Sequence, residues 1–279
     1  MKKMEKRMSP VLKWAGGKTQ LLNSIMEKVP KTYNRYYEPF IGGGAVFLAV
    51  SPTAASINDT NEQLVNLYRQ LKANAAAVIE TVRKLDERSC DREVYYRIRE
   101  KYNQKIASRT LDAECAALMI WTNKHCFNGL YRVNQKGRFN VPYNNKTKGK
   151  SISEKNLLVI GKYLQTADIT ITCADFEVIC KDVCSGDFVY FDSPYLPVSE
   201  TADFTDYTKD GFLPADHERL ANLFKHLDYI GAKVMLSNND VPLVHRLYDG
   251  YCIQSIDVKR MINSNALKRT GKEVIITNY

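Results

Sequence analysis

Residues 36–59, YYEPFIGGGAVFLAVSPTAASIND, decide the fold. Residues 35–41 read as a short strand that Pro39 brings to an end, because proline has no amide hydrogen for a sheet ladder. Gly42, Gly43 and Gly44 make a tight turn, and the apolar run AVFLAV (45–50) starts a buried helix. ASIND (55–59) is a second strand ending in the carboxylate of Asp59. Strand, glycine turn, helix, strand and acid follow the logic of a nucleoside-containing cofactor site. Glycines let backbone amides approach the ligand, and an acid at the end of the next strand accepts hydrogen bonds from ribose hydroxyls. The full G-x-G-x-x-G signature fails here, since Phe47 occupies its last position. That counts against an oxidoreductase. On its own the stretch leaves NAD, FAD and S-adenosylmethionine open, along with a plain structural turn.

Outward from this unit, residues 18–29 place Leu21, Leu22, Ile25, Met26 and Val29 on one helical stripe. Residues 60–125 are mostly helical in pattern, with Leu64, Leu67, Tyr68 and Leu71 on one face and 112–122 buried on most sides. Residues 126–150, rich in Asn, Gly, aromatic and basic side chains, read as a loop or irregular hairpin. Strand signals return at 169–173, 187–192 and 233–238, the last after a helical pattern over 214–230. Residues 251–260 and 273–279 read as two antiparallel strands that close the sheet. Strands alternating with helices at both ends imply an α/β sheet with helices on both faces. The long helical stretch looks inserted, which divides the chain into 1–60 with 156–279 and an insert over 61–155.

The chain has 279 residues, with 40 Lys+Arg against 31 Asp+Glu, a net charge of +9. A basic balance fits nucleic acid, an acidic membrane surface or no particular partner, so its distribution matters more. Residues 131–150 hold Arg132, Lys136, Arg138, Lys146, Lys148 and Lys150 without an acid, and 259–272 hold Lys259, Arg260, Lys268, Arg269 and Lys272 without one. Those windows are where phosphate contacts are expected. The seven cysteines are odd in number and irregularly spaced, with no CxxC pair, as expected of free thiols in a reducing cytosol. The four histidines form no metal constellation, and His217 and His226 are expected on a helix surface. The basic N-terminus lacks the apolar core of a secretory signal, and no apolar run is long enough to span a bilayer, which points to the cytoplasm.

Two further motifs carry chemistry. KWAGGK (13–18) sets Trp14 beside exposed amides before the first helix, with Lys18 placed to meet a carboxylate; a glycine turn with Trp14 in the core reads equally well. Asp192-Ser193-Pro194-Tyr195 follows the strand DFVYF. A carboxylate, a rigid turn and an aromatic ring at a strand's carboxyl end suit a flat base bearing an amino group. The amine of adenine is a poor nucleophile because its lone pair is delocalised into the ring. A carboxylate and a backbone carbonyl that accept its two protons localise that pair on nitrogen, and the tyrosine ring stacks on the base. The base must leave the duplex to reach such a pocket.

Taken together, KWAGGK (13–18), EPFIGGGA (38–45), IND (57–59), FNGLYRVN (127–134), GRFNVPY (137–143), DSPY (192–195), SETADFTDYT (199–208) and MLSN (235–238) strongly resemble the Dam/DpnII-type, alpha-group adenine-specific DNA methyltransferases of the D12 class. The resemblance covers about residues 10–279. It implies a Rossmann-like methyltransferase sheet with a C-terminal antiparallel hairpin, a mainly helical DNA-recognition insert, and S-adenosylmethionine as methyl donor. It places Trp14, Ala15, Gly16 and Lys18 on the cofactor, with Glu38, Phe40, Gly42, Gly44 and Asp59 from the first strand–turn–strand unit. Asp175 and Phe176 fall near the cofactor's adenine ring, and Asp192 near its methyl end. Asp192, Ser193, Pro194 and Tyr195 form the catalytic loop. Lys13, Phe127, Asn128, Leu130, Arg132 and Pro142 match residues that read GATC in duplex DNA, with Phe127 as the wedge left in the duplex and Arg132 on a guanine edge. No metal is implied, and a cognate restriction endonuclease fits as a partner.

Two positions depart from the family pattern. Ser193 stands where proline is usual, which frees φ and adds a hydroxyl near the amine. Asn144-Asn145 stands where some relatives carry an arginine. Two other readings stay open at this point: methylation of the cytosine amine by a similar loop, and a DNA-binding protein that has lost catalysis through Ser193.

Overall fold

The computed structural model describes residues 8–14, 16–18, 20–87, 90–146, 149–197, 212–259 and 270–279. Ala15, the SETADFTDYT segment, Lys148, Arg260, Lys268 and Arg269 lie outside the described residues. In chain order the elements are α1 (Leu22–Lys28), β1 (Tyr36–Glu38), α2 (Ala45–Val50), β2 (Ala54–Asn58), α3 (Glu62–Asp86), α4 (Arg92–Ala107), α5 (Ala113–His125), α6 (Glu154–Thr166), β3 (Asp168–Thr172), α7 (Phe176–Ile179), β4 (Phe188–Phe191), α8 (Pro214–Tyr229), β5 (Lys233–Asn239), α9 (Pro242–Leu247), β6 (Cys252–Lys259) and β7 (Thr270–Thr277).

The sheet has the order β3-β2-β1-β4-β5-β7-β6. The first five strands in that order pair parallel, and β7 and β6 close it antiparallel. Parallel strands must be covered on both faces, and β4 shows how. Phe188 and Tyr190 enter a core shared with α1, α2, α3, α5 and α6, while Val189 and Phe191 enter a second core with α7 and α8. The register sets Tyr36 opposite Phe188 and Tyr37 opposite Val189, so β1 splits between the same two cores.

The chain leaves β1 toward β2 and β3 in one direction and leaves β4 toward β5 in the other. The carboxyl ends of β1 and β4 therefore meet at a topological switch point, where open α/β sheets form their ligand crevice. Residues 39–44 and 192–196, the glycine turn and the DSPY loop, emerge there.

Long α3 bends at Asn74 (φ −160°, ψ 80°), whose side chain accepts from the Ala77 amide at 3.1 Å and so restarts the helix with its own cap. Residues 126–143 form an irregular hairpin, with single bridges pairing Cys126 to Tyr143 and Val133 to Phe139. His217 is not on the surface as the sequence reading expected. It is 2% exposed, on the α8 face that buries Leu220, Ala221, Phe224 and Leu227.

Candidate active site

The glycine turn is shaped by three contacts. Gly44 adopts φ +69°, and an added Cβ there would lie 2.4 Å from the Tyr68 hydroxyl, so only glycine fits. Tyr68 Oη in turn donates to the Gly42 carbonyl at 3.2 Å. Trp14 covers the other side, with its ring 3.0 Å from where a Gly42 Cβ would sit and its Cβ 3.1 Å from a Gly43 Cβ. Trp14 thus packs directly on the turn.

Asp59 follows β2 and accepts from the Gly42 amide at 3.1 Å and the Asn61 amide at 3.0 Å. These two bonds hold the carboxylate against the turn. Enclosure nevertheless pushes its pKa up to about 6, the amide bonds offsetting only part of the burial. Glu38 ends β1, is 2% exposed, and accepts from Tyr36 Oη at 2.6 Å. Burial raises its pKa well above the usual carboxylate range, the nearby Asp192 charge adds to that, and Tyr36 and Lys18 oppose it.

Lys18, itself buried, reaches across to β4. Its ammonium lies 2.5 Å from Asp192 Oδ1, 2.7 Å from the Gly16 carbonyl and 4.5 Å from the centre of the Tyr195 ring. Ser237 Oγ donates to the same Asp192 oxygen at 3.4 Å and contacts Tyr190 Oη at 2.9 Å. Asp192 Oδ2 has no hydrogen-bond partner among the described residues. Burial raises the Asp192 pKa, and Lys18 and Ser237 hold it back. Tyr195 Oη donates to Glu273 on β7 at 3.0 Å. The loop is pinned by the Leu196 amide on Asn238 Oδ1 at 2.9 Å and by Asn239 Nδ2 on the Leu196 carbonyl at 2.6 Å. Asp192, Pro194 and Tyr195 are part-exposed, whereas Ser193 is buried with Oγ unpartnered among the described residues.

These contacts bring Trp14, Gly16, Lys18, Glu38, Gly42, Gly44, Asp59, Asp192 and Tyr195 together at the carboxyl ends of β1 and β4. Phe40 and Phe176 sit beside them, their rings 5.4 Å apart, and Phe212 contacts both at 5.8 and 5.9 Å. Asp175 stands next to these rings: its Oδ1 accepts from the Glu177 amide at 2.9 Å and pairs with Arg219 at 2.9 Å, and the Arg219 guanidinium lies 4.8 Å from the Phe176 ring.

The segment that carries the residues expected at DNA meets this cluster where Gly129 abuts Lys13 and Tyr131 stacks on Trp14. Phe127 is 51% exposed on a 3-10 turn (Phe127–Gly129), its amide bonded to the Pro142 carbonyl at 2.8 Å. Asn128, Arg132 and Pro142 are exposed and Leu130 is half-buried. Arg132 Nε donates to Asn140 Oδ1 at 2.8 Å across the hairpin. Tyr131 turns inward instead, 5.1 Å from Trp14 and nearly parallel to it. Lys13 is exposed, with its backbone tied to Asn123. Arg138, from the acid-free window, is already paired: Glu100 of α4 takes its guanidinium at 2.7 and 2.6 Å. The window is free of acid only along the chain.

Tyr68, Asn123, Ser237 and Glu273 had no role in the sequence reading. Ser237 was readable in part, because MLSN runs to the carboxyl end of a buried strand, where ligand groups gather. Tyr68 and Asn123 sit on buried helical faces and carried no such signal. Among the described residues no helix is long and apolar enough to cross a membrane.

A sequence profile of the D12 class N6 adenine-specific DNA methyltransferases matches residues 14–262. A Type II methyltransferase of Lactococcus lactis subsp. cremoris is 41% identical over 281 residues, covering 100% of this chain and 98% of the relative. A Type II methyltransferase of Methanocaldococcus jannaschii is 40% identical over 290 residues, covering 98% of this chain and 99% of the relative. A DNA adenine methylase of Vibrio cholerae is 34% identical over 277 residues, covering 98% and 97%.

Proposed function

The chain belongs to the D12 class of N6 adenine-specific DNA methyltransferases, and from that premise we propose that it methylates the adenine of GATC in duplex DNA, with S-adenosylmethionine as donor. The observation that carries the reading is the Lys18–Asp192 pair beside the Tyr195 ring at the switch point.

The crevice fits a nucleoside sulfonium. The Gly42–Gly44 turn leaves no room for side chains beneath Trp14, and Asp59 keeps lone pairs for two ribose hydroxyls after accepting two amides. Trp14, Gly16, Gly42, Gly44, Asp59 and, nearer the ring cluster, Phe40, Asp175 and Phe176 would hold it, with Glu38 behind the turn; Ala15 belongs to the same set and lies outside the described residues. When bound, the donor supplies an electrophilic methyl group on sulfur.

The chain's own groups prepare the amine. Lys18 and Ser237 load Asp192 Oδ1, so Oδ2 is the oxygen left to accept an amine proton. The Ser193 carbonyl accepts the second. With both protons engaged, the nitrogen lone pair leaves the ring system and points at the methyl carbon. Tyr195, steadied by Glu273 and by the Lys18 ammonium over its ring, offers a face for stacking, and Pro194 limits the loop. After transfer the amine gives up one proton, which Asp192 passes to solvent. The cysteines take no part.

Residues 61–155 supply the reader. Phe127 projects as the wedge, with Asn128, Leu130 and Pro142 around it. Arg132 and Lys13 reach toward base edges from either side.

The test is direct. Plasmid incubated with the purified protein and S-adenosylmethionine should become resistant to a nuclease that cuts only unmethylated GATC, and sensitive to one that needs the methyl group. Methyl incorporation without either change would place the target at another sequence.

A further inference from the structure

We infer that Asn123 is a positioning residue that fixes the wedge turn to the segment carrying Lys13, Trp14 and Lys18, and so sets the everting side chain against the catalytic carboxylate. The inference rests on the proposed reading of an everted adenine.

Asn123 lies near the end of α5 and is 3% exposed. A buried amide is costly unless its atoms are paired, and here they are. Oδ1 accepts from the Lys13 amide at 3.0 Å, and Nδ2 donates to the Lys13 carbonyl and the Gly129 carbonyl, both at 3.0 Å. Toward Lys13 the side chain acts as a strand neighbour would, exchanging both bonds with one residue. Toward Gly129 it holds the end of the turn that displays Phe127 and Asn128.

The two backbones it joins are in tight contact. Gly129 has φ +67°, and an added Cβ would lie 2.7 Å from Lys13 Cβ and 2.6 Å from its Cδ. The Trp14–Tyr131 stack repeats the connection one residue beyond Lys13 and two beyond Gly129. Cys126 Sγ, contacting the Asn123 and Leu130 carbonyls at 3.3 and 3.2 Å, closes the turn on the same helix end.

Five residues beyond Lys13 stands Lys18, whose ammonium holds Asp192. A continuous path thus runs from Phe127 through Gly129, Asn123 and Lys13 to Lys18 and Asp192. No member of it between Gly129 and Lys13 needs to touch DNA. What Asn123 controls is the spacing between the wedge and the carboxylate, and that spacing matters only while a paired adenine is being taken out of the stack.

The experiment measures single-turnover methyl transfer by the full-length protein on two GATC duplexes, one fully paired and one with the target adenine opposite an abasic sugar. Asn123→Asp keeps the bond from the Lys13 amide and loses both donated bonds. Gly129→Ala reaches the same contact from the other side without touching the helix. Each variant should slow transfer on the paired duplex at least tenfold more than on the abasic one, where no pair has to open. Equal slowing on both duplexes, or no slowing on either, would overturn the inference. Wild-type protein inactive on both duplexes would count against the proposed function instead.

Discussion

Lys18 Nζ lies 2.5 Å from Asp192 Oδ1, joining the segment before α1 to the loop after β4. The pair does two things at once. It neutralises part of a carboxylate that burial would otherwise push toward its neutral form, and it engages Oδ1 while Oδ2 has no partner among the described residues. A buried pair broken from one side leaves an uncompensated charge, so the two side chains have to be considered together.

Lys18→Met removes the cation that lowers the Asp192 pKa. That pKa, already raised by burial, rises further, so the acid limb of the single-turnover rate moves to higher pH. Below the limb Asp192 is protonated and no longer accepts through a charged oxygen. At neutral pH we expect a loss on the order of 10²-fold, the size seen when an active group is misplaced. A pH–rate profile locates the limb; an unmoved limb means that Lys18 does not govern the charge on Asp192.

Asp59 has a pKa of about 6 in the folded chain, against 3.8 for a free aspartate. A carboxyl with a raised folded pKa contributes stability that is full below about 4 and is lost as pH rises through 6. Asp59→Asn removes that dependence, so its stability relative to wild type should improve between pH 4 and 7, by up to roughly 2–3 kcal/mol. Cofactor binding should show the opposite preference. In wild type it strengthens as Asp59 ionises through pH 6, and in Asp59→Asn it is weak and flat. Denaturant unfolding and equilibrium binding, each across pH, check the two halves separately.

Ser193 Oγ is buried without a partner among the described residues. An unpaired buried hydroxyl costs about 1–3 kcal/mol, so Ser193→Ala should be more stable than wild type and melt a few degrees higher. A lower melting temperature would mean that the hydroxyl has a partner in solution, such as an ordered water.

Much of this architecture was legible because the signals were local. YYEPFIGGG announces a strand and a turn through Pro39 and three glycines, and β4 announces itself as an unbroken apolar run before Asp192. Such units mark where β1, β2 and β4 run and set DSPY just after β4, whereas the order of the strands rests on pairing between distant segments. What stayed hidden depends on separations that periodicity cannot see. Asn123 and Lys13 are 110 residues apart, and an asparagine on a buried helix face carries no mark of its partner. Arg138 looked free because its acid, Glu100, lies 38 residues away on α4. His217 is different. It falls on the stripe shared with Leu220, Ala221, Phe224 and Leu227, so helical spacing placed it inward despite its polarity. Burial then lowers its pKa to about 4 and keeps it neutral.

Arg132 and Arg138 make a matched pair for testing which basic residue reads bases. Both lie on the hairpin and in the same acid-free window, although only Arg132 matches a base-reading position of the family. Among the described residues Arg132 spends only Nε, on Asn140, so both terminal nitrogens are left for the O6 and N7 edge of a guanine. Arg138 has its terminal nitrogen taken by both oxygens of Glu100. Arg132→Ala should therefore weaken cognate duplex by roughly 1–3 kcal/mol, concentrated at one base pair, and leave random duplex nearly unchanged. Arg138→Ala should change neither by as much, since its charge is already balanced on the protein. Titrations with GATC duplex, single-substituted sites and random duplex at fixed salt separate these outcomes. If Arg132→Ala weakens every duplex alike, its contact is to phosphate and its proposed role as a reader of guanine is wrong.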